Sequence, residues 1–366
     1  MVASRSIVAM LIGALGIACA GAGVSASHAM ARPSSMPGEA QPAASASRAS
    51  AGPWWLAFES ETLNALIAEA SRDAAADGRL DTQTPEVVVS AAYVGLLVQT
   101  LSLTYIDSAR AAARRQSQLV SASPAPHGDF REELKHREAD ATSSMKKIDA
   151  QRDVQLAFLA GRSRLSADAL QKAVADEVAA RKQPRMALPL PQALPAALLA
   201  NRDDIQLAAA LYGIDPQAGL GGTIDAADDT GENGQDDLPG YPLFPEAVAQ
   251  GRAEVAEALR KLQAMNDAAS VANRRVRDAK ASFEEAKARM SRGEMSEVQV
   301  LEEYQALMLD LQRLAMSNGN LSIAWIALMA SLGSRMPVVL HAPHAPHAPD
   351  AAVLRARPRM AGALSF

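Results

Sequence analysis

From Val255 to Met290, apolar residues return every third and fourth position for about ten helical turns; nothing else in the chain restricts its fold as tightly. Val255, Leu259, Leu262, Met265, Ala269, Ala272, Val276, Ala279, Phe283, Ala286 and Met290 make one stripe, while Arg274, Arg275, Arg277, Asp278, Lys280, Glu284, Glu285 and Lys287 occupy the other faces. Arg292-Gly293 ends the pattern, as glycine does just past a helix end, where it accepts the left-handed conformation. Ser296 then opens a second helix, with Gln299 three residues on as a capping box. Val300, Tyr304, Leu307, Leu311, Leu314, Asn318, Leu321, Trp325, Leu328 and Leu332 repeat in fours and threes along it. A sustained heptad pattern makes helices supercoil on a neighbour. The expectation is an antiparallel coiled-coil hairpin over 246–334, with arms roughly 50–65 Å long. Its seam is Leu259, Leu262, Val276 and Phe283 on one arm, and Leu307, Leu311, Leu314, Asn318, Leu321, Trp325 and Leu328 on the other. Asn318, the one polar residue in its stripe, is read as a register-setting residue rather than a ligand.

Composition extends this to the whole chain of 366 residues, in which 49% are apolar but only 4% aromatic. Alanine dominates the apolar fraction, and it has the best helix propensity. A large sandwich or membrane barrel needs more aromatic and β-branched residues. The fold class expected is therefore all-α, with long antiparallel coiled-coil hairpins in two degenerate repeats and little or no β-strand. A net charge of -5 argues against a nucleic-acid partner.

The N-terminus reads as an export signal over 1–29. Arg5 supplies the positive charge, and Ile7–Ala18 is an apolar run of signal length, short for a membrane span. Val24-Ser25-Ala26 and Ser27-His28-Ala29 both fit a cleavage site. Cys19, the only cysteine, closes the apolar run and is the candidate lipidation site; the alternative is a cysteine removed with the signal. Without it no disulfide forms.

Residues 30–52 are Ser/Ala/Pro-rich and read as a flexible leader. A first helical repeat spans 53–183. Leu63, Leu66, Ile67 and Ala70 begin it at helical spacing, and after a polar break Pro85 opens a second helix that runs past Ala113. Pro124, Pro126 and Gly128 end that helix. A charged helix follows from Phe130 to Leu159, then another over about 166–182. Residues 184–245 form an inter-repeat linker, with a short helix at about 196–211 and an acidic loop from Gly213 to Pro245 that shows neither helix nor strand periodicity. Its acidic residues lack the alternating spacing and closing Glu of a calcium loop. The tail, 335–366, reads as disordered and rich in Pro and His. His341, His344 and His347 would share one face of a polyproline helix, but the low-complexity context makes them incidental, and no metal is assigned.

Three stretches resemble the TolC-like outer-membrane efflux proteins. Trp54-Trp55-Leu56-Ala57-Phe58, with Leu63-Asn64-Ala65-Leu66-Ile67-Ala68-Glu69-Ala70, is similar to their mature start. Leu194-Pro195-Ala196-Ala197-Leu198-Leu199-Ala200-Asn201-Arg202-Asp203-Asp204-Ile205 resembles the inter-repeat motif L-P-x-x-L-L-x-x-R-P-D-I, with Asp203 in the place of proline. The hairpin resembles the family in Ala253–Leu259, in its tip from Gly293 to Leu301, and in the closing Ala330-Ser331-Leu332-Gly333. The resemblance implies a trimeric channel: two repeats per chain give helices to a periplasmic tunnel and strands to an outer-membrane barrel. Partners implied are a periplasmic adaptor and an inner-membrane pump. The adaptor would dock at the hairpin tips, here Arg292, Gly293, Glu294 and Ser296 in the second repeat and Gly128 and Asp129 in the first. The localisation implied is the outer membrane or periplasm of a Gram-negative bacterium.

One departure is large. The family's membrane strands fall where this sequence has only 74–85 and the acidic 213–245, and neither holds ten residues of alternating character with aromatic girdles. The expectation is a helical frame without strand insertions. This keeps a second reading in view: a barrel-less periplasmic or lipid-anchored protein that binds an efflux adaptor or a channel subunit. A third is an inactive relative. No phosphate-binding, nucleotide-binding, nucleophile-elbow or zinc-protease motif is present. His127 and His136 read as surface residues, and Glu284-Glu285 and Glu302-Glu303 fall on solvated faces. No enzyme and no cofactor are expected.

Overall fold

A computed structural model describes residues 52–77, 84–122, 128–163, 165–180, 190–217, 219–227, 243–333 and 337–338. The expectations for the signal segment, Cys19, most of the leader and the histidine-bearing tail lie outside them. Seven α-helices are described: α1 (Glu61–Asp77), α2 (Pro85–Ala122), α3 (Gly128–Gly161), α4 (Ala167–Ala179), α5 (Asp203–Tyr212), α6 (Leu243–Ser291) and α7 (Glu297–Ser331). Among the described residues the strands are four and tiny: β1 (Gly52–Pro53), β2 (Ala193–Pro195), β3 (Thr223–Asp225) and β4 (Pro337–Val338). They pair antiparallel, β1 with β4 and β2 with β3, Leu194 facing Ile224. The chain is all-α.

Helix ends follow local chemistry. Pro85 sits at the first position of α2, where its missing N–H costs nothing. The Ser60 hydroxyl accepts from the Leu63 N–H and caps α1 (3.0 Å). The α6 helix begins three residues earlier than its periodicity suggests, because Pro245 lies in the first turn, where helices tolerate proline. Its 49 residues make it about 75 Å long, beyond the expected arm length. The linker also differs from expectation. Thr223–Asp225 is a strand, and the short helix splits at the extended Arg202 into a 3-10 turn (Ala196–Asn201) and α5. Three residues are too few to show a strand's alternation; pairing with β2 stabilises them instead.

The long helices form a row in the order α6–α7–α2–α3, each packed on the next; α3 and α6, at its ends, do not pack along one another. Both hairpins turn at one end of the molecule, here called the tip end. At the opposite end, the base, Trp54, Leu199, Ile205, Ile224, Phe244, Val255, Leu259, Trp325 and Leu328 share the largest core. A second base core joins α1, α2, α3 and α4 through Leu63, Ile67, Leu96, Leu159, Leu170 and Val174. Towards the tips the contacts thin to two small clusters, one around Val276, Leu307 and Leu311, the other around Ile106 and Ile148. Among the described residues α2 alone is long and apolar enough to cross a membrane, and most of that apolar stretch is buried between its neighbours.

Candidate functional site

The tip of the second hairpin is set by backbone geometry. Gly293 has φ +75°; its N–H bonds the Met290 carbonyl at 2.9 Å, and the Glu294 N–H reaches Arg289 O at 3.0 Å. Left-handed glycine with this bonding is how helices commonly stop. Arg292 donates to the two Glu294 carboxylate oxygens through Nε and Nη2 (2.6 and 2.9 Å). That bond holds the Glu294 carboxyl below its usual range and raises the Arg292 guanidinium. Ser296 then caps α7: the Gln299 N–H donates to its hydroxyl (3.4 Å), and its own N–H donates to the Gln299 side chain (3.0 Å). Arg292, Gly293, Glu294 and Ser296 are all exposed.

At the other tip α3 starts at Gly128, two residues before the expected position, and both Gly128 and Asp129 are exposed. Asp129 lies in the first turn, where a negative charge suits the helix dipole. Arg131 donates to the Val120 carbonyl at 3.0 Å and closes the end of α2. The turn between them, 123–127, with both prolines and His127, lies outside the described residues. His136 is exposed, as read.

Links between the repeats bring the tips together. Arg115 of α2 pairs with Glu297 of α7 (2.9 Å). The Gln116 amide donates to the Val298 carbonyl (2.7 Å), and the Gln305 amide donates to the Gln116 side-chain oxygen. Arg137 of α3 reaches Glu302 at 3.6 Å. Of the seam residues, Leu259, Leu262, Val276, Leu307, Leu311, Leu314, Asn318, Trp325 and Leu328 are buried, while Phe283 and Leu321 are half-buried.

Sequence reasoning missed the second face of α7. Leu301, Met308, Ala315, Ser322 and Met329 are buried too, seven residues apart. This second heptad stripe gives α7 a partner on each side, α6 and α2. A Cβ on Gly319 would lie 2.4 Å from Val98 Cγ2, so α2 and α7 meet there almost backbone to side chain. The inter-repeat motif also gains a role. Arg202, nearly buried, bonds Asp204 (2.7 and 3.0 Å), Glu254 of α6 (2.8 Å) and the Ser331 carbonyl that ends α7 (2.8 Å). Burial opposes that charge, but Asp204 and Glu254 outweigh it and raise the Arg202 pKa; burial likewise opposes the Asp204 charge, and Arg202 outweighs it and holds that carboxyl low.

A helical row with paired tips has solved counterparts. A structure of CusC, described with its folding and transmembrane channel formation, superposes with TM-score 0.53 at 15% identity, over 76% of this chain and 95% of that one. The fold is TolC-like. VceC from Vibrio cholerae (TM-score 0.46, 15% identity, 74% of each chain) and the outer-membrane channel OprN (TM-score 0.47, 14% identity, 79% of this chain and 94% of that one) are also similar. No family model and no curated protein matches the sequence.

Proposed function

We propose that the chain is an outer-membrane-factor-like component of a tripartite efflux or export system, providing helical wall for a periplasmic tunnel. The observation that carries this is the row α6–α7–α2–α3, whose outer helices α3 and α6 are not packed on each other. Such a row has two different edges, and joining one edge to the other edge of a copy is a head-to-tail contact, which builds a ring when the rotation between copies closes. A homotrimer is the ring proposed. The exposed tip residues Arg292, Gly293, Glu294, Ser296, Gly128 and Asp129 would meet a periplasmic adaptor, which connects to an inner-membrane pump. The role is passive and non-enzymatic. The test is co-purification of the exported protein with adaptors encoded beside it. The reading expects a stable complex that Arg292→Glu weakens at least tenfold; no adaptor bound at micromolar protein would sink it.

One observation favours a second reading, the barrel-less periplasmic or lipid-anchored partner. Among the described residues no strand exceeds three residues, whereas a membrane strand needs about ten. Planar-bilayer recording separates the two. Stepwise conductance supports a channel. Silence, with release of the protein in the soluble periplasmic fraction, supports the partner.

A further inference from the structure

The base holds a buried acid that the tunnel reading does not use. Glu177, near the end of α4, is 9% exposed. Its carboxylate accepts from Ser60 Oγ at 2.9 Å and from the Tyr93 hydroxyl. Ser60 caps α1 and Tyr93 belongs to α2, so one side chain ties three elements together. Apart from it, α4 is held by the buried Leu170 and Val174 and the half-buried Val178. The helix is complete in itself: Ser166 caps it, accepting from the Ala169 N–H at 3.2 Å.

We infer that α4 is a latch, hinged where α3 ends at Gly161 and fastened by Glu177, that opens and closes as a unit while both long hairpins stay folded. The two sides of the contact are unequal. When α4 leaves, the Glu177 carboxyl regains water. The hydroxyls left behind stay paired, because Ser60 Oγ lies 3.0 Å from the Tyr93 hydroxyl and accepts from the Leu63 N–H. The site is therefore neutral and satisfied with the latch open, so opening leaves no stranded charge. Closing must take the Glu177 carboxyl out of water, and its hydrogen-bond partners among the described residues are two neutral hydroxyls. With only two fully buried apolar side chains to drive it, the closed state sits at the low-stability end of the molecule.

Hydrogen exchange followed by mass spectrometry on the full chain tests this. In the wild type, amides of 167–179 should exchange at least about tenfold faster than those of 255–276 and 300–328. Glu177→Ala should speed exchange in α4 by about a further tenfold and leave α6 and α7 unchanged. Glu177→Gln, whose amide oxygen still accepts from both hydroxyls, should change it by no more than about threefold. Equal protection of α4 and the hairpins in the wild type overturns the latch, as does a Glu177→Ala effect that spreads to every helix. Should that variant not fold, the wild-type comparison decides alone.

Discussion

Two buried polar residues carry consequences that can be measured one at a time. Arg202 joins the linker, α6 and the end of α7, and its removal strands a helix-terminal carbonyl and two acids. Because both acids keep water contact, the loss expected for Arg202→Ala is about 2 kcal/mol in urea unfolding rather than the larger cost of a fully buried pair. Asp204 adds a pH dependence. Its folded pKa lies below its unfolded value, so the stability it contributes is present above about pH 4 and is lost as pH falls further; Asp204→Asn should flatten that acid limb. Tyr93 works at the other extreme. Burial first, and then Glu177, raise its pKa far above the ordinary value. The folded state therefore keeps a proton that the unfolded chain releases near pH 10, and stability falls as pH rises beyond that point. Tyr93→Phe should remove this alkaline slope in chemical denaturation between about pH 9 and 11.

At the scale of elements, the α2–α7 contact is the one most open to test. Gly319 admits Val98, so Gly319→Leu should cost about 1–3 kcal/mol by overpacking. Val98→Ala in the same chain should recover part of that loss, a coupling that a double-mutant cycle reads directly. The Gln116–Gln305 pair behaves differently. Either residue changed to Leu removes the bond between them and strands one buried polar atom of the other, and should cost about 1–3 kcal/mol, whereas both together should cost less than the sum of the two. This contact also marks where sequence reasoning stopped. The hairpin α6–α7 was legible because Leu259, Val276, Leu307 and Leu328 repeat at one spacing and Gly293 and Ser296 are local signals needing no tertiary knowledge. The stripe from Leu301 to Met329 was hidden because Ala315 and Ser322 are too small or polar to stand out, though the period of seven was there to be counted. Gln116 gave a weaker sign: it continues the buried register of Ala109, Ala112 and Val120, but a polar residue there needs a partner, and that partner lies 189 positions away. Likewise β3 and the two-residue pairing of Gly52–Pro53 with Pro337–Val338 rest on long-range backbone bonds, and such bonds leave no periodicity behind.

Taken as a whole, the molecule is graded from base to tip. Large apolar cores give way to polar and ionic links such as Arg115–Glu297 and Arg137–Glu302. Exposed ion pairs are screened by salt while apolar burial is not. Raising ionic strength should therefore increase hydrogen exchange near 291–302 and leave that near 323–332 unchanged. The row order has a last consequence, for how the protein is made. The second helix waits for the seventh, and about 175 residues separate the end of one from the start of the other. A ribosome adding roughly 5–20 residues per second leaves the apolar Val87–Leu103 stretch without its native cover for some ten seconds or more. A nascent chain in that condition is a client for a chaperone, and the segment that binds one should end where α7 begins to cover it.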